Sequence, residues 1–148
     1  MMMYDARVSP LRMFLPALNF PALLSCTAAS MIVGMLWFSP LLFAEPWMKL
    51  AGVSSKSMKA GPGPWVYLVS MLTGFASALV LSYLMVLLNI RTTADAILLA
   101  LFLWFALVAL MSLNHFLYTG RSRSLWLIEV GYDLCMLLSS AVILSLWR

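Results

Sequence analysis

Two carboxylates, Glu129 and Asp133, stand four residues apart in the stretch LIEVGYDLCML at 127–137. That spacing is close to one turn of α-helix, so both would lie on one face and within reach of each other. Such a pair can hold one proton between its two members or bind a cation. The single histidine, His115, beside Asn114, is the other titratable candidate. What surrounds the pair gives it interest, because the flanking sequence is almost entirely apolar.

The 148-residue chain is 64% hydrophobic and only 9% charged, with mean hydropathy +1.01. Soluble domains carry about a quarter charged residues. The composition is that of a multi-pass integral membrane protein, housed in the cell membrane if the source is bacterial. The formal net charge is +4, yet the Lys and Arg residues sit singly or in pairs at the ends of apolar runs. They flank membrane helices and form no basic face for nucleic acid. Cys26 and Cys135 fall inside apolar runs and read as small packing residues. No zinc or haem spacing exists, so no metal or cofactor is expected.

A helix needs about 20 apolar residues to cross roughly 30 Å of hydrocarbon. Residues 20–43 and 65–88 meet this without a charge, and 96–118 form a third span whose notable titratable group is His115. An N-terminal tail, 1–18, precedes them; the apolar run that follows it continues to Phe43, too long for a signal peptide, and is read as the first span. The uncharged run at 134–147 would rise only about 21 Å, whereas a helix from Leu125 to Trp147 rises about 34 Å. A full fourth span, 125–147, therefore draws Glu129 and Asp133 into the membrane, and a half-inserted helix is the alternative. The expected fold is all-α: one domain, 1–148, with four transmembrane helices in an antiparallel bundle. The positive-inside rule does not orient it, because Arg7, Arg12, Arg91 and Arg148 face Lys49, Lys56, Lys59, Arg121 and Arg123.

Small residues recur every four positions at Ala22, Cys26, Ser30 and Gly34, at Ser70, Gly74, Ala78 and Ser82, and at Gly131, Cys135 and Ser139. Such stripes let helix backbones approach closely in lipid. The third span, bulky at Phe102, Trp104 and Phe105, shows none and is expected to face lipid or another subunit. Antiparallel threading gathers WFSP at 37–40, Asn114, His115, Glu129 and Asp133 toward one membrane face. His115 and Glu129 share a depth and can pair. Asp133, nearer the bilayer middle, would find Thr73 or the region of Ser30. A charged Asp there costs on the order of 3 kcal/mol, so it is expected to be protonated, hydrogen-bonded or open to a hydrated cavity.

No HExxH, Gly-x-Ser-x-Gly or Ser-x-x-Lys motif is present. Gly-Tyr-Asp at 131–133 lacks the Gly-x-Gly-Asp partner of intramembrane aspartyl proteases, and an enzyme is not expected. Three readings stay open. The polar groups satisfy one another and lock the bundle; or Asp133 and Glu129 serve a small proton- or cation-coupled transporter or permeation unit; or the chain is an accessory subunit of a larger membrane complex. Its expected partners are the lipid bilayer and either further copies of itself or that larger complex.

GMLWFSPLLFAEPWMKLAG at 34–52 and LNHFLYTGRSRSLWLIEVGYDLCMLLSSAVILSLW at 113–147 resemble the four-helix membrane family known as domain of unknown function 1761. In that family a first helix ends in Trp-Tyr/Phe-Ser-Pro-x-x-Phe before a Trp-Met pair, and a late helix carries a Gly-Tyr motif. The resemblance is carried by Trp37, Phe38, Ser39, Pro40, Trp47, Asn114, Gly120, Gly131 and Tyr132. It implies a four-span bundle and no particular activity. Pro40 would end or kink the first helix, leaving Trp37 and Trp47 for the interfacial belt.

Overall fold

The computed structural model describes residues 19–54, 56, 61 and 63–147. The tail 1–18, with Arg7 and Arg12, and also Lys59 and Arg148, lie outside the described residues. The fold is all-helical: α1 is Phe20–Trp37, α2 is Ala44–Ala51, α3 is Pro64–Leu87, α4 is Thr93–Thr119 and α5 is Arg123–Leu146. All but α2 are long and apolar enough to cross a membrane, which makes this a multi-pass membrane protein.

α1 stops at Trp37, short of the Phe43 expected for its span. Pro40 has no N–H to continue the ladder and disfavours helical geometry at Ser39. Ser39 then organises the exit: its hydroxyl donates to the Leu36 carbonyl at 2.7 Å and accepts from the Leu41 N–H at 3.3 Å. The Phe43 N–H returns to the Trp37 carbonyl at 3.0 Å. This tight turn sends the chain into α2, which lies against α5 and ends at Gly52, where φ is +69°. A left-handed position of that kind favours glycine.

α5 is the central helix, with α1, α2, α3 and α4 all packed on it, while α1 also packs on α3. It runs unbroken for 24 residues through Glu129 and Asp133. Both ends of the bundle are tied by polar contacts. At one, the Asn19 amide accepts from the Ala22 N–H and donates to the Trp147 carbonyl at 2.7 Å, and Ser145 donates to Thr93 at 3.0 Å. At the other, the Trp126 indole donates to Ser112 at 2.9 Å.

The buried apolar core is concentrated toward the first of these ends, around Leu23, Cys26, Ala78, Leu81, Ala141 and Leu144. There the small-residue stripes of α1 and α3 meet. A methyl group added at Gly74 would stand 2.6 Å from the Ser30 hydroxyl oxygen, so the two backbones approach as closely as the side chains permit. Toward the other end α3 parts from the bundle, and every one of its residues from Pro64 to Thr73 is exposed.

The third span, read as facing lipid or another subunit, packs its first half on α5 through two small residues. Ala96 and Ala100 are fully buried in the half of α4 that packs on α5. Beyond Ala100 the inward face changes period. α4 contains a π-helical segment, Trp104–Ala109, whose wider turn shifts the inward face by one residue. The inward series runs through Ala96, Ala100, Trp104, Ala109 and Phe116. Phe102 and Phe105 do point outward, at 65% and 53% exposure, but Trp104 turns in.

Candidate functional site

The Gly-Tyr-Asp segment of α5 lies under two tryptophans from different helices. The Trp37 indole donates to the Ile128 carbonyl at 3.0 Å and the Trp104 indole to the Val130 carbonyl at 2.7 Å. An indole N–H has donor character only, so each finds an acceptor by sharing a carbonyl of the neighbouring helix. Gly131 makes this possible for Trp37, because a Cβ there would meet the ring at 3.0 Å. Trp37 is thus an interhelical tie, where sequence reasoning placed it in the interfacial belt. Trp104 was read only for its bulk; it follows Ala96 and Ala100 at four-residue spacing on the inward face of α4.

The residues of the WFSP and Gly-Tyr stretches form one aromatic assembly. Phe38 lies 5.4 Å from Tyr132 and 5.4 Å from Trp47, ring centre to ring centre, and Trp37 lies 4.6 Å from Phe43. The Tyr132 ring in turn covers Gly34, where an added Cβ would sit 3.4 Å from its hydroxyl. Trp47 consequently has an edge-on partner in Phe38. Aromatic pairs at such separations add about 0.5–1.5 kcal/mol each beyond the area they bury.

With the backbone held on either side by indoles, the carboxylates are left to another role. Asp133 is half-buried and lines a groove of about 660 Å³ between α3 and α4, floored by α5. Ser70, Thr73 and Ser77 line the same groove. Counted at 1.5 Å per residue, Asp133 lies about 15 Å along α5 and Thr73 about 14 Å along α3, near mid-span in each. The structure therefore brings Thr73 and Asp133 to one cavity at one depth, although no hydrogen bond joins them. Thr73 and Ser70 donate their hydroxyl protons to the α3 backbone, at 3.0 Å to Ser70 O and 2.9 Å to Val66 O. Their oxygens remain able to accept.

Among the described residues, no hydrogen bond or ion pair engages the Asp133 or Glu129 carboxylate. Glu129, one turn away and half-buried, is close enough for its charge to act on Asp133. No Lys or Arg lines the groove. Every fully buried side-chain polar atom among the described residues has a partner, which marks Asp133 as a group facing open space.

His115 and Asn114 are exposed on α4, and His115 enters the groove lining nowhere. The expected pairing of His115 with Glu129 is not made. The reason is rotational: Phe116 fills the inward position at this level, which sends its two predecessors outward. Arg121 and Arg123 are likewise exposed, and Arg121 lies over the Phe116 ring at 6.0 Å without forming an ion pair to Glu129. Ser30 is buried but donates to Thr27 O at 2.7 Å, lies at the α1–α3 contact against Gly74 and does not line the groove. No group of three or more His, Cys, Asp or Glu residues able to hold a metal ion occurs among the described residues.

No curated protein and no solved structure matches the chain. A family model described as "Protein of unknown function (DUF1761)" matches residues 21–145, from the first turn of α1 to the last of α5. The match takes in the aromatic assembly, the two indole ties and Asp133 alike, and the chain belongs to that family.

Proposed function

We propose that this protein is a small transporter or permeation unit that binds a proton or a cation at Asp133. The observation that carries the proposal is the carboxylate near mid-span, turned into an open groove and engaged by no donor or cation among the described residues. Had the acidic pair served to lock helices together, it would be expected to bond across to α1, α3 or α4. That locking is instead the work of Trp37 and Trp104. Ionisable residues are rare within membrane helices, and those facing a cavity mark substrate and ion pathways.

The chemistry is an exchange. A protonated carboxyl is neutral and tolerates the apolar groove; a cation arriving there takes the place of the proton, which passes to the Glu129 carboxylate one turn nearer the membrane face and from there to water. The groups around Asp133 suit this. α5 supplies Tyr132, α3 the hydroxyls of Ser70, Thr73 and Ser77, and α4 only the apolar Leu103, Leu107 and Val108, while Glu129 lies one turn away on α5, outside the lining. The test is flux into liposomes carrying a pH-sensitive dye, under imposed proton, sodium and potassium gradients. Wild type is expected to exceed empty liposomes, and Asp133→Asn to fall to their rate while still inserting and eluting as wild type does. Wild-type flux equal to that of empty liposomes under every gradient would overturn the proposal.

A second reading, assembly with another copy of the chain or with a larger membrane complex, is favoured by the exposed first half of α3, Pro64–Thr73. Cross-linking in native membranes through cysteines placed at Val66 and Val69 is expected to give a discrete dimer or a hetero-adduct. Recovery of monomer alone would remove this reading.

A further inference from the structure

We infer that the groove at Asp133 takes an amphipathic organic monocation, which enters sideways between α3 and α4; the inference rests on the proposed role of Asp133 and specifies its substrate class. Size is the first argument. A groove of about 660 Å³ falls within the roughly 300–1,000 Å³ of pockets for drug-sized molecules. An inorganic ion needs far less room and more oxygens: calcium takes about 6–8 oxygen ligands, whereas here one carboxylate stands among a few hydroxyls.

The lining gives the second argument. Leu81, Leu84, Leu103, Leu107, Met136 and Leu137 form apolar walls around Asp133. Unbranched methionine adapts to irregular ligand shapes. With no Lys or Arg in the lining, an anion would meet an uncompensated carboxylate, and a dication would leave one of its charges unmatched. A molecule with one positive charge and a large apolar body satisfies both parts of the groove.

Access is the third argument. α3 and α4 both pack on α5 but hardly on each other, so the groove has an open side at the level where acyl chains would lie. Leu107 and Val80 at its edge are 59% and 57% exposed. The π-helical segment Trp104–Ala109 forms the α4 wall beside Asp133. The Trp104 indole at its start is bonded to α5, and Leu107 is left at the rim. Amphipathic cations dissolve in bilayers, which makes a lateral mouth a usable entrance.

The probe is tetraphenylphosphonium, with tetraphenylborate as an anion of the same shape, measured by equilibrium dialysis against purified full-length protein in detergent micelles. Wild type is expected to bind the cation saturably and the anion no better than empty micelles do. Asp133→Asn is expected to weaken cation binding by about tenfold or more, the scale for removing one partner of a partly desolvated charge pair. Ala76→Phe keeps the carboxylate and narrows the groove, and a comparable loss is expected; it carries the test if Asp133→Asn does not elute as wild type. Equal uptake of both ions, cation binding no better than empty micelles, or binding unchanged in both variants would overturn the inference. Should wild type fail to bind tetraphenylphosphonium yet still move protons or inorganic cations in liposomes, the substrate class falls and the proposed function stands. Failure of both measurements removes both.

Discussion

Trp37→Ala is expected to destabilise the bundle by about 3 kcal/mol, near the lower end of the range for truncating a buried tryptophan because the ring is half-buried. Three contacts go together. The indole loses its hydrogen bond to the Ile128 carbonyl, its ring leaves Phe43, and the slot over Gly131 empties. Gly131 itself has no side chain with which to fill that slot. Trp37→Phe retains most of the ring contact and removes only the N–H, so its cost should be about 1 kcal/mol. Reversible unfolding in mixed micelles, followed by circular dichroism against the mole fraction of denaturing detergent, ranks the three proteins. A Trp37→Ala midpoint equal to wild type would show that the α1–α5 tie contributes nothing. The same loss for Phe as for Ala would place the whole effect in the hydrogen bond.

Gly74→Ala is expected to cost about 1–3 kcal/mol, the usual range for overpacking a filled site. The added methyl would stand 2.6 Å from the Ser30 hydroxyl oxygen and 3.5 Å from its Cβ. Only the first distance is intolerable. The hydroxyl is held by its bond to the Thr27 carbonyl, so moving it gives up that bond or forces α1 and α3 apart. The coupling is therefore specific. In a Ser30→Ala background the remaining contact is ordinary, and adding Gly74→Ala should cost less than half of what it costs alone. A double-mutant cycle in the same unfolding assay measures this interaction. Strictly additive costs would mean that Ser30 does not set the approach.

The two substitutions probe different layers of legibility. The stripe containing Gly74 is visible in the sequence, because membrane helices associate through small residues at four-residue spacing and that spacing survives in a linear string. The role of Trp37 is not visible in the same way. A tryptophan near the end of an apolar run followed by Ser-Pro has an adequate explanation at the lipid–water interface, and nothing in its spacing to Gly131 says that an indole and a carbonyl will meet. Gly131 and Tyr132 carried the family resemblance, which the match over residues 21–145 bears out. Why those positions matter physically emerged only with the contacts: glycine opens the slot for Trp37, and tyrosine covers Gly34 and meets Phe38.

The polar residues divide along the same line. Asp133 with Thr73 was reachable from helix rise and antiparallel threading, since depth follows from counting residues. Pairing His115 with Glu129 used the same count, but depth alone does not fix rotation about the helix axis. The π-helical turn at Trp104–Ala109 shifts that rotation for everything after it. Phe116 takes the inward position and His115 the outward one.

From the sequence alone came the membrane class, the long helices, their alternating direction and the end of α1 near Ser39-Pro40. These follow from local quantities: the length of apolar runs, the shortness of the turns and the geometry that proline forbids. The tertiary structure decided which face of each helix meets which neighbour, that α5 lies at the centre, that α3 and α4 part around Asp133, and that indoles rather than carboxylates tie the helices. In water the buried face of a helix is marked by its hydrophobicity. In lipid the outward and inward faces are both apolar, so that contrast disappears from the sequence, and packing shape and a few hydrogen bonds settle the arrangement.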